Sequence, residues 1–360
     1  MGRPTSITID LAALEHNFNQ VKRCAPHSAV IAMVKSNGYG HGIRRAGLAL
    51  SAADALGVAC IEEGLLLREA GVTIPVVLME GLFKADELLQ ASAYDFTLIV
   101  HHAAQVEMLE RHAHLPPLTI WLKIDTGMHR LGFQPEEARY YFQRLLGCES
   151  VKKPIGLMTH FAESEAVDRH FTHQQIDLFN RSTLGLPGPR SLANSGAILA
   201  WPETHADWVR PGIMLYGASP FSNSHGKDYQ LKPVMTLRSE LIAMHDVREG
   251  ERIGYGGTWA VATASTRIGI VGIGYGDGYP RHAKNGTPVL VKGKRCDLVG
   301  RVSMDMIAVD LQHQPEAVLG DPVILWGQGL PVEEIARYSD TSGYELLTRI
   351  TQRVHVQVII

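Results

Sequence analysis

Lys35 follows the apolar run Val30-Ile31-Ala32-Met33-Val34 and precedes Ser36-Asn37-Gly38-Tyr39-Gly40-His41-Gly42. An ammonium at the end of a buried strand is costly unless it is paired, neutralised or used covalently. A desolvated lysine loses its proton more readily and can then form a Schiff base with a carbonyl. Taken alone, Lys35 also reads as a side chain snorkelling out of a strand end. The glycines after it favour the first reading, because they let a bulky ligand approach the backbone. Further along, Asn194-Ser195-Gly196 and Arg210-Pro211-Gly212-Ile213 offer N–H groups at Ser195, Gly212 and Ile213. With the Ser195 hydroxyl and the Tyr39 phenol, these could cradle a dianion. Glu80, His101, Lys123, Asp125, Arg130 and His160 complete a set of polar residues that each follow an apolar run.

Those runs recur with one rhythm over the first 217 residues: a short β-branched stretch, a turn, then an amphipathic segment. They are 30–34, 56–59, 76–79, 96–100, 118–122, 155–158, 191–193 and 212–215. Strands alternating with helices imply a parallel sheet, and eight is the number that closes a (β/α)8 TIM-type barrel. In such a barrel the reactive groups sit past the C-terminal strand ends, where these polar residues fall, and phosphate sites often follow the last two strands. Ile7-Thr8-Ile9 lies outside the count, with Asp10 as the N-cap of the helix after it. Beyond about residue 230 the helical period fades and strands at 237–243, 267–272, 288–291, 308–311 and 354–360 alternate with Gly-rich turns. The expected division is therefore a barrel over 1–225, whose N-terminal strand 5–10 packs on the second domain, and a mainly β domain over 226–360. Residues 219–228 serve as the linker.

Composition narrows the function. The 360 residues are 45% hydrophobic and 20% charged with a net charge of -3, so no basic surplus exists to neutralise a nucleic-acid backbone. Four dispersed cysteines exclude a disulfide scaffold and a thiolate zinc site, and fit a reducing compartment. No apolar run is long enough to span a bilayer and no leader pattern is visible, so a cytoplasmic protein without a membrane partner is expected. Histidines 101, 102, 112, 114, 170 and 173 fall in helical or loop stretches and read as solvated or capping groups, not metal ligands. Gly272-x-Gly274-x-Gly276-x-Gly278 follows no βα unit, so it is no dinucleotide fingerprint.

A strand-end lysine and a phosphate nest together describe a pyridoxal-phosphate site, with the aldehyde on Lys35. Residues 32–42 resemble the cofactor-attachment signature of the alanine racemase family. Family resemblance extends to Lys123-Ile124-Asp125-Thr126-Gly127-Met128-His129-Arg130, Thr159-His160-Phe161-Ala162, Asn194-Ser195 and Val209-Arg210-Pro211-Gly212-Ile213. In the second half it covers Gly254-Tyr255-Gly256-Gly257, Gly274-Tyr275-Gly276-Asp277-Gly278, Arg301-Val302-Ser303-Met304-Asp305 and Tyr344-Glu345. Ser36 and Gly38 stand where the family usually has alanines, and Ser303 where some members have cysteine; no reactive group is lost.

The resemblance implies pyridoxal 5'-phosphate as cofactor and a two-base interconversion of L- and D-alanine, feeding cell-wall synthesis or D-alanine catabolism. Lys35 holds the cofactor and serves one face of Cα, while Tyr255 serves the other. Inverting a stereocentre by proton removal and return requires groups on both faces. A phenol near pKa 10 is a poor base at neutral pH, so His160, beside Arg210, is implied as its partner. Arg210 is implied to donate to the pyridine nitrogen, which an arginine cannot protonate. Arg130 and the Met304 N–H would take the substrate carboxylate, and Tyr344 the cofactor phosphate. Lys123, carbamylated in some members, would position Arg130, and Asp305 is a further supporting residue. Tyr275 and Arg281 would line a narrow entrance. Tyr255 and Met304 would reach the other subunit's site in a homodimer.

Other readings of the same residues are a basic-amino-acid decarboxylase or broad racemase, a non-catalytic cofactor carrier, and a cofactor-free Schiff-base aldolase. Release of CO2 distinguishes the first. Single-domain carriers lack a counterpart of the Tyr255 domain, and an aldolase would show no visible absorbance.

Overall fold

The computed structural model describes residues 2–166 and 170–360. The chain divides into two compact units, Asn17–Leu215 and Met1–His16 with Tyr216–Ile360. The first strand, β1 (Ser6–Asp10), belongs to the second of these units.

The Asn17–Leu215 unit is a closed barrel of β2 (Ala29–Met33), β3 (Ala55–Val58), β4 (Val76–Leu78), β5 (Thr97–Val100), β6 (Ile120–Lys123), β7 (Gly156–Met158), β8 (Arg190–Ser191) and β9 (Trp208–Val209). All eight pairings are parallel, and pairing of Ala29 with Trp208 closes the ring. These strands read as continuous apolar runs because side chains on both faces are covered. Val30, Ala32, Leu56, Val58, Val76 and Leu78 are fully buried. Crossover helices such as Ile61–Glu69, Ala103–Arg111 and Ala138–Gly147 bury one stripe each. His102 caps Ala103–Arg111 by accepting the Ala104 N–H.

One strand is not where the sequence places it. The eighth is Trp208–Val209, and the run 212–215 instead enters a 3₁₀ turn, Ile213–Tyr216. Strand pairing ends at Val209, and Pro211, with no N–H to give, contributes its carbonyl, which accepts the Met33 N–H at 3.0 Å. Ile213, Met214 and Leu215 are fully buried all the same, which is why their run imitates a strand.

In the other unit β10 (Met235–Arg248), β11 (Arg252–Ile253), β12 (Trp259–Ala260), β13 (Ser265–Val271), β14 (Pro288–Val291), β15 (Lys294–Val299), β16 (Ile307–Asp310), β17 (Pro322–Trp326) and β18 (His355–Ile359) follow in order. Eight of these strands, counting β1, form a sheet ordered β13-β16-β15-β14-β17-β10-β1-β18. A further β13–β10 pairing brings the ladder full circle. The sequence reading omits β15 and β17 and the short helices Val332–Tyr338 and Gly343–Thr348. Asp10 does cap the helix Leu11–Cys24, accepting the Ala13 N–H at 2.8 Å.

Candidate active site

Lys35 emerges directly from β2 into an unusual turn. Ser36, Asn37, Gly38 and Tyr39 all hold left-handed backbone, with φ of 54, 54, 62 and 52°. For L residues that conformation costs roughly 1–2 kcal/mol each, so the surroundings must hold it. Glu63 does much of this, accepting the Ser36 N–H at 2.7 Å through Oε1 and the Ala59 N–H at 2.9 Å through Oε2. Asn37 Oδ1 accepts the Ile43 N–H, and a Cβ on Gly38 would press on Ala46 Cβ at 3.1 Å. The Lys35 amine is half-buried. Burial and the Arg130 charge lower its proton affinity, while Glu80 and Glu63 oppose the shift.

Around it the barrel collects positive charge. Lys123 ends β6 at 7% exposure, and its amine makes no hydrogen bond or ion pair among the described residues. Burial, then Arg210, Arg130 and Lys35, push its amine down to about 8. A surface salt-bridge cluster at Lys123-Asp125-Arg130 is not what forms. Asp125 instead accepts the Gly127 and His129 N–H groups at 3.0 Å. Arg130 is exposed and has no hydrogen-bond partner among the described residues.

Arg210 is buried beside them. Its Nη1 donates to Ser191 Oγ at 2.6 Å, and its Nη2 to the carbonyls of Thr159 at 2.6 Å and Leu192 at 3.0 Å. Nη2 also faces His160 Nδ1 at 3.3 Å. Burial lowers the guanidinium to about 9, so it remains a cation at neutral pH. His160 is driven well below 6.5 by burial and then by Arg210, and is therefore a neutral imidazole. Its Nδ1 accepts from Arg210, which places the ring proton on Nε2. Among the described residues Arg210 donates to protein through Nη1 and Nη2 alone, which leaves its Nε–H for a ligand atom.

The proposed nest also assembles. Ser195 Oγ accepts the Gly212 N–H at 2.8 Å, and Asn194 caps the short helix Ser195–Ala200 by accepting the Ala197 N–H. Among the described residues the N–H groups of Ser195, Gly196 and Ile213 donate to no protein acceptor. A Cβ on Gly212 would collide with Tyr39 Oη, so the phenol lies directly against this backbone. Burial raises that phenol to about 12, which keeps it a hydrogen-bond donor. N–H groups that meet no protein acceptor among the described residues, set beside two hydroxyls, suit a phosphate. Tyr39 joins the nest to the turn that carries Lys35.

The remaining candidates lie in the other unit. Tyr255 occupies a turn between β11 and β12, 68% exposed, with Gly254, Gly256 and Gly257 at positive φ. It lines an open cleft with Tyr275, Arg281 and Arg301, and the Arg281 guanidinium sits 6.0 Å from the Tyr275 ring. Met304 is 53% exposed, and Tyr344 sits partly exposed on the helix Gly343–Thr348. Asp305 pairs with Arg3 and Arg353. Sequence reasoning missed Glu63, Ser191 and the Thr159 carbonyl, which orient Lys35 and Arg210. An acidic residue in the first turn of a crossover helix was a usable signal for Glu63; nothing marked Ser191.

The family model "Alanine racemase, N-terminal domain" matches residues 9–220 and "Alanine racemase, C-terminal domain" matches 234–358. The chain belongs to the alanine racemase family. Among its relatives in that family, a protein named "Alanine racemase, biosynthetic" from Escherichia coli O6:H1 is 49% identical over 98% of this chain and 99% of its own. One of the same name from Salmonella typhimurium is as similar. The crystal structure of biosynthetic alanine racemase from Pseudomonas aeruginosa superposes with a TM-score of 0.96 at 46% identity, covering 99% and 100% of the two chains. Alanine racemase from Acinetobacter baumannii gives 0.94 at 42%, covering 99% and 100%.

Proposed function

We propose that this alanine racemase family member interconverts L- and D-alanine, with pyridoxal 5'-phosphate held at Lys35. The carrying observation is the half-buried amine of Lys35, eased toward its neutral form, on the same turn as the Tyr39 phenol of the nest. When bound, the cofactor draws electrons from Cα so that the proton there can leave.

The chain's own groups then have distinct tasks. Ser195, Ile213 and Tyr39 hold the phosphate, while Gly212, whose N–H the Ser195 hydroxyl accepts, fixes that hydroxyl; Asn194 fixes the helix start and Tyr344 adds a phenol. Arg210 offers its Nε–H to the ring nitrogen. Since the guanidinium stays charged and retains its protons, it can orient that nitrogen without protonating it. Lys35 would move a proton at one face of Cα through its Nζ. Tyr255 moves one at the other face through its Oη. With its proton on Nε2, a neutral His160 can donate a hydrogen bond to the Tyr255 oxygen and so favour the phenolate that serves as base, and the adjoining Arg210 keeps the imidazole uncharged. Arg130, without a side-chain partner among the described residues, and the Met304 N–H bind the carboxylate.

In this reading the barrel unit carries the cofactor and the β-rich unit supplies the second base across a homodimer. The exposure of Tyr255 and Met304 supports that arrangement. A cytoplasmic location accords with the absence, among the described residues, of any helix long and apolar enough to cross a membrane. Chiral analysis of purified protein given L-alanine and pyridoxal phosphate tests the activity. Lys35→Ala should abolish racemisation and the visible absorbance of the Schiff base together, and retained interconversion in both directions would refute the role.

A further inference from the structure

The loop carrying Met304 is held by an ion-pair cluster with no part in the chemistry above. Asp277 ends the short turn Tyr275–Asp277, and its side chain is wholly buried. Its Oδ2 accepts the Gly274 N–H at 2.9 Å and pairs with Arg3 at 2.7 Å, while Oδ1 faces Arg353 Nε at 3.0 Å. Arg3 also donates to the carbonyls of Gly272 at 3.2 Å and Asp305 at 3.3 Å. Both arginines reach the Asp305 carboxylate as well. Two cations and two carboxylates cancel, so the cluster is no anion trap. Only the Asp277 carboxylate is fully buried, so removing an arginine would leave that charge under-compensated, whereas the other three side chains keep solvent contact.

What the cluster holds is a pair of loops. Tyr275 N–H donates to the Ser303 carbonyl at 3.1 Å and Gly276 N–H to the Met304 carbonyl at 2.8 Å. A side chain on Gly274 would run into the Ser303 and Met304 carbonyls, so the loops meet backbone to backbone. A trans peptide is planar, so the N–H of Met304 points opposite to the Ser303 carbonyl. Fixing that carbonyl on Tyr275 therefore turns the Met304 N–H away from the clamp. This N–H donates to nothing among the described residues.

We infer that Arg3, acting through Asp277, is a positioning residue that aims the Met304 N–H at the substrate carboxylate. The inference rests on the reading that this N–H binds the carboxylate. Steady-state kinetics of Arg3→Ala, Arg3→Lys and Met304→Pro holoenzymes test it, alongside hydrogen–deuterium exchange of the segment 272–278. Arg3→Ala should raise KM for both alanine enantiomers roughly five- to tenfold, as expected for a weakened charge-assisted hydrogen bond. Its kcat and cofactor absorbance should be little changed, and Arg3→Lys should recover most of the affinity. Exchange at the Gly276 amide should quicken in Arg3→Ala, a readout independent of turnover. If Met304→Pro, which removes the N–H, raises KM but Arg3→Ala does not, the positioning role is overturned. Unchanged exchange in Arg3→Ala overturns it too. If Met304→Pro leaves KM unaltered while the cofactor stays bound, the carboxylate reading itself fails and the inference falls with it.

Discussion

Replacing Lys123 with methionine should make the cofactor-free protein more stable while lowering its activity. Methionine keeps the length and flexibility of the side chain but removes the charge. The amine titrates at about 8 in the fold against 10.5 ordinarily, chiefly because it is buried and secondarily because Arg210, Arg130 and Lys35 surround it. A lowered pKa means that the folded state binds the proton less well than the unfolded chain. The difference corresponds to roughly 3 kcal/mol. That cost is fully present below about pH 8 and fades as pH rises toward 10.5, where both states are neutral. At a few degrees per kcal/mol, the melting temperature near neutral pH should rise roughly 6–12 °C in the variant. Calorimetry of both proteins, free of cofactor and bicarbonate, should show a gap that is widest near neutrality and narrows in alkali. A variant that melts at or below the wild-type temperature, or a gap indifferent to pH, would refute the argument that this lysine is held against its own solvation. Racemisation by the reconstituted variant should fall, since Arg130 loses the neighbour the family resemblance assigns to it.

Two further outcomes test the second base. Tyr255→Phe should cripple turnover in holoenzyme yet leave the Schiff-base absorbance in place; loss of the cofactor would mark the residue as structural. Mixing inactive Lys35→Ala and Tyr255→Phe subunits should restore part of the activity if sites draw on both chains, and no recovery after proven subunit exchange would count against that arrangement.

Much of the barrel was legible because its strands are apolar on both faces and each is followed by a polar residue. Lys123 ends β6, and Lys35, His160 and Arg210 stand just past β2, β7 and β9, where a closed parallel barrel gathers side chains from distant segments. The eighth strand was misplaced because burial, not strand geometry, makes 212–215 apolar, and Pro211 decides the matter locally. In the β-rich unit, β15 was hidden by its charged outward positions, Lys294, Arg295 and Asp297. The helices Val332–Tyr338 and Gly343–Thr348 were too short to establish a period against the Gly-rich background.

The order of residue types along the chain was enough to determine the fold class, the family, and which side chains have reactive chemistry. It could not determine their protonation or their bearing. That Lys123 is short of a counter-charge, that His160 is neutral, and that Arg210 spends its Nη groups on Ser191, Thr159, Leu192 and His160 all depend on dehydration and on neighbours tens of residues away. The same holds for Arg3, which nothing local distinguishes until the fold brings it to Asp277. Proton affinity and hydrogen-bond direction follow from distance and solvent access, and only the folded chain sets those.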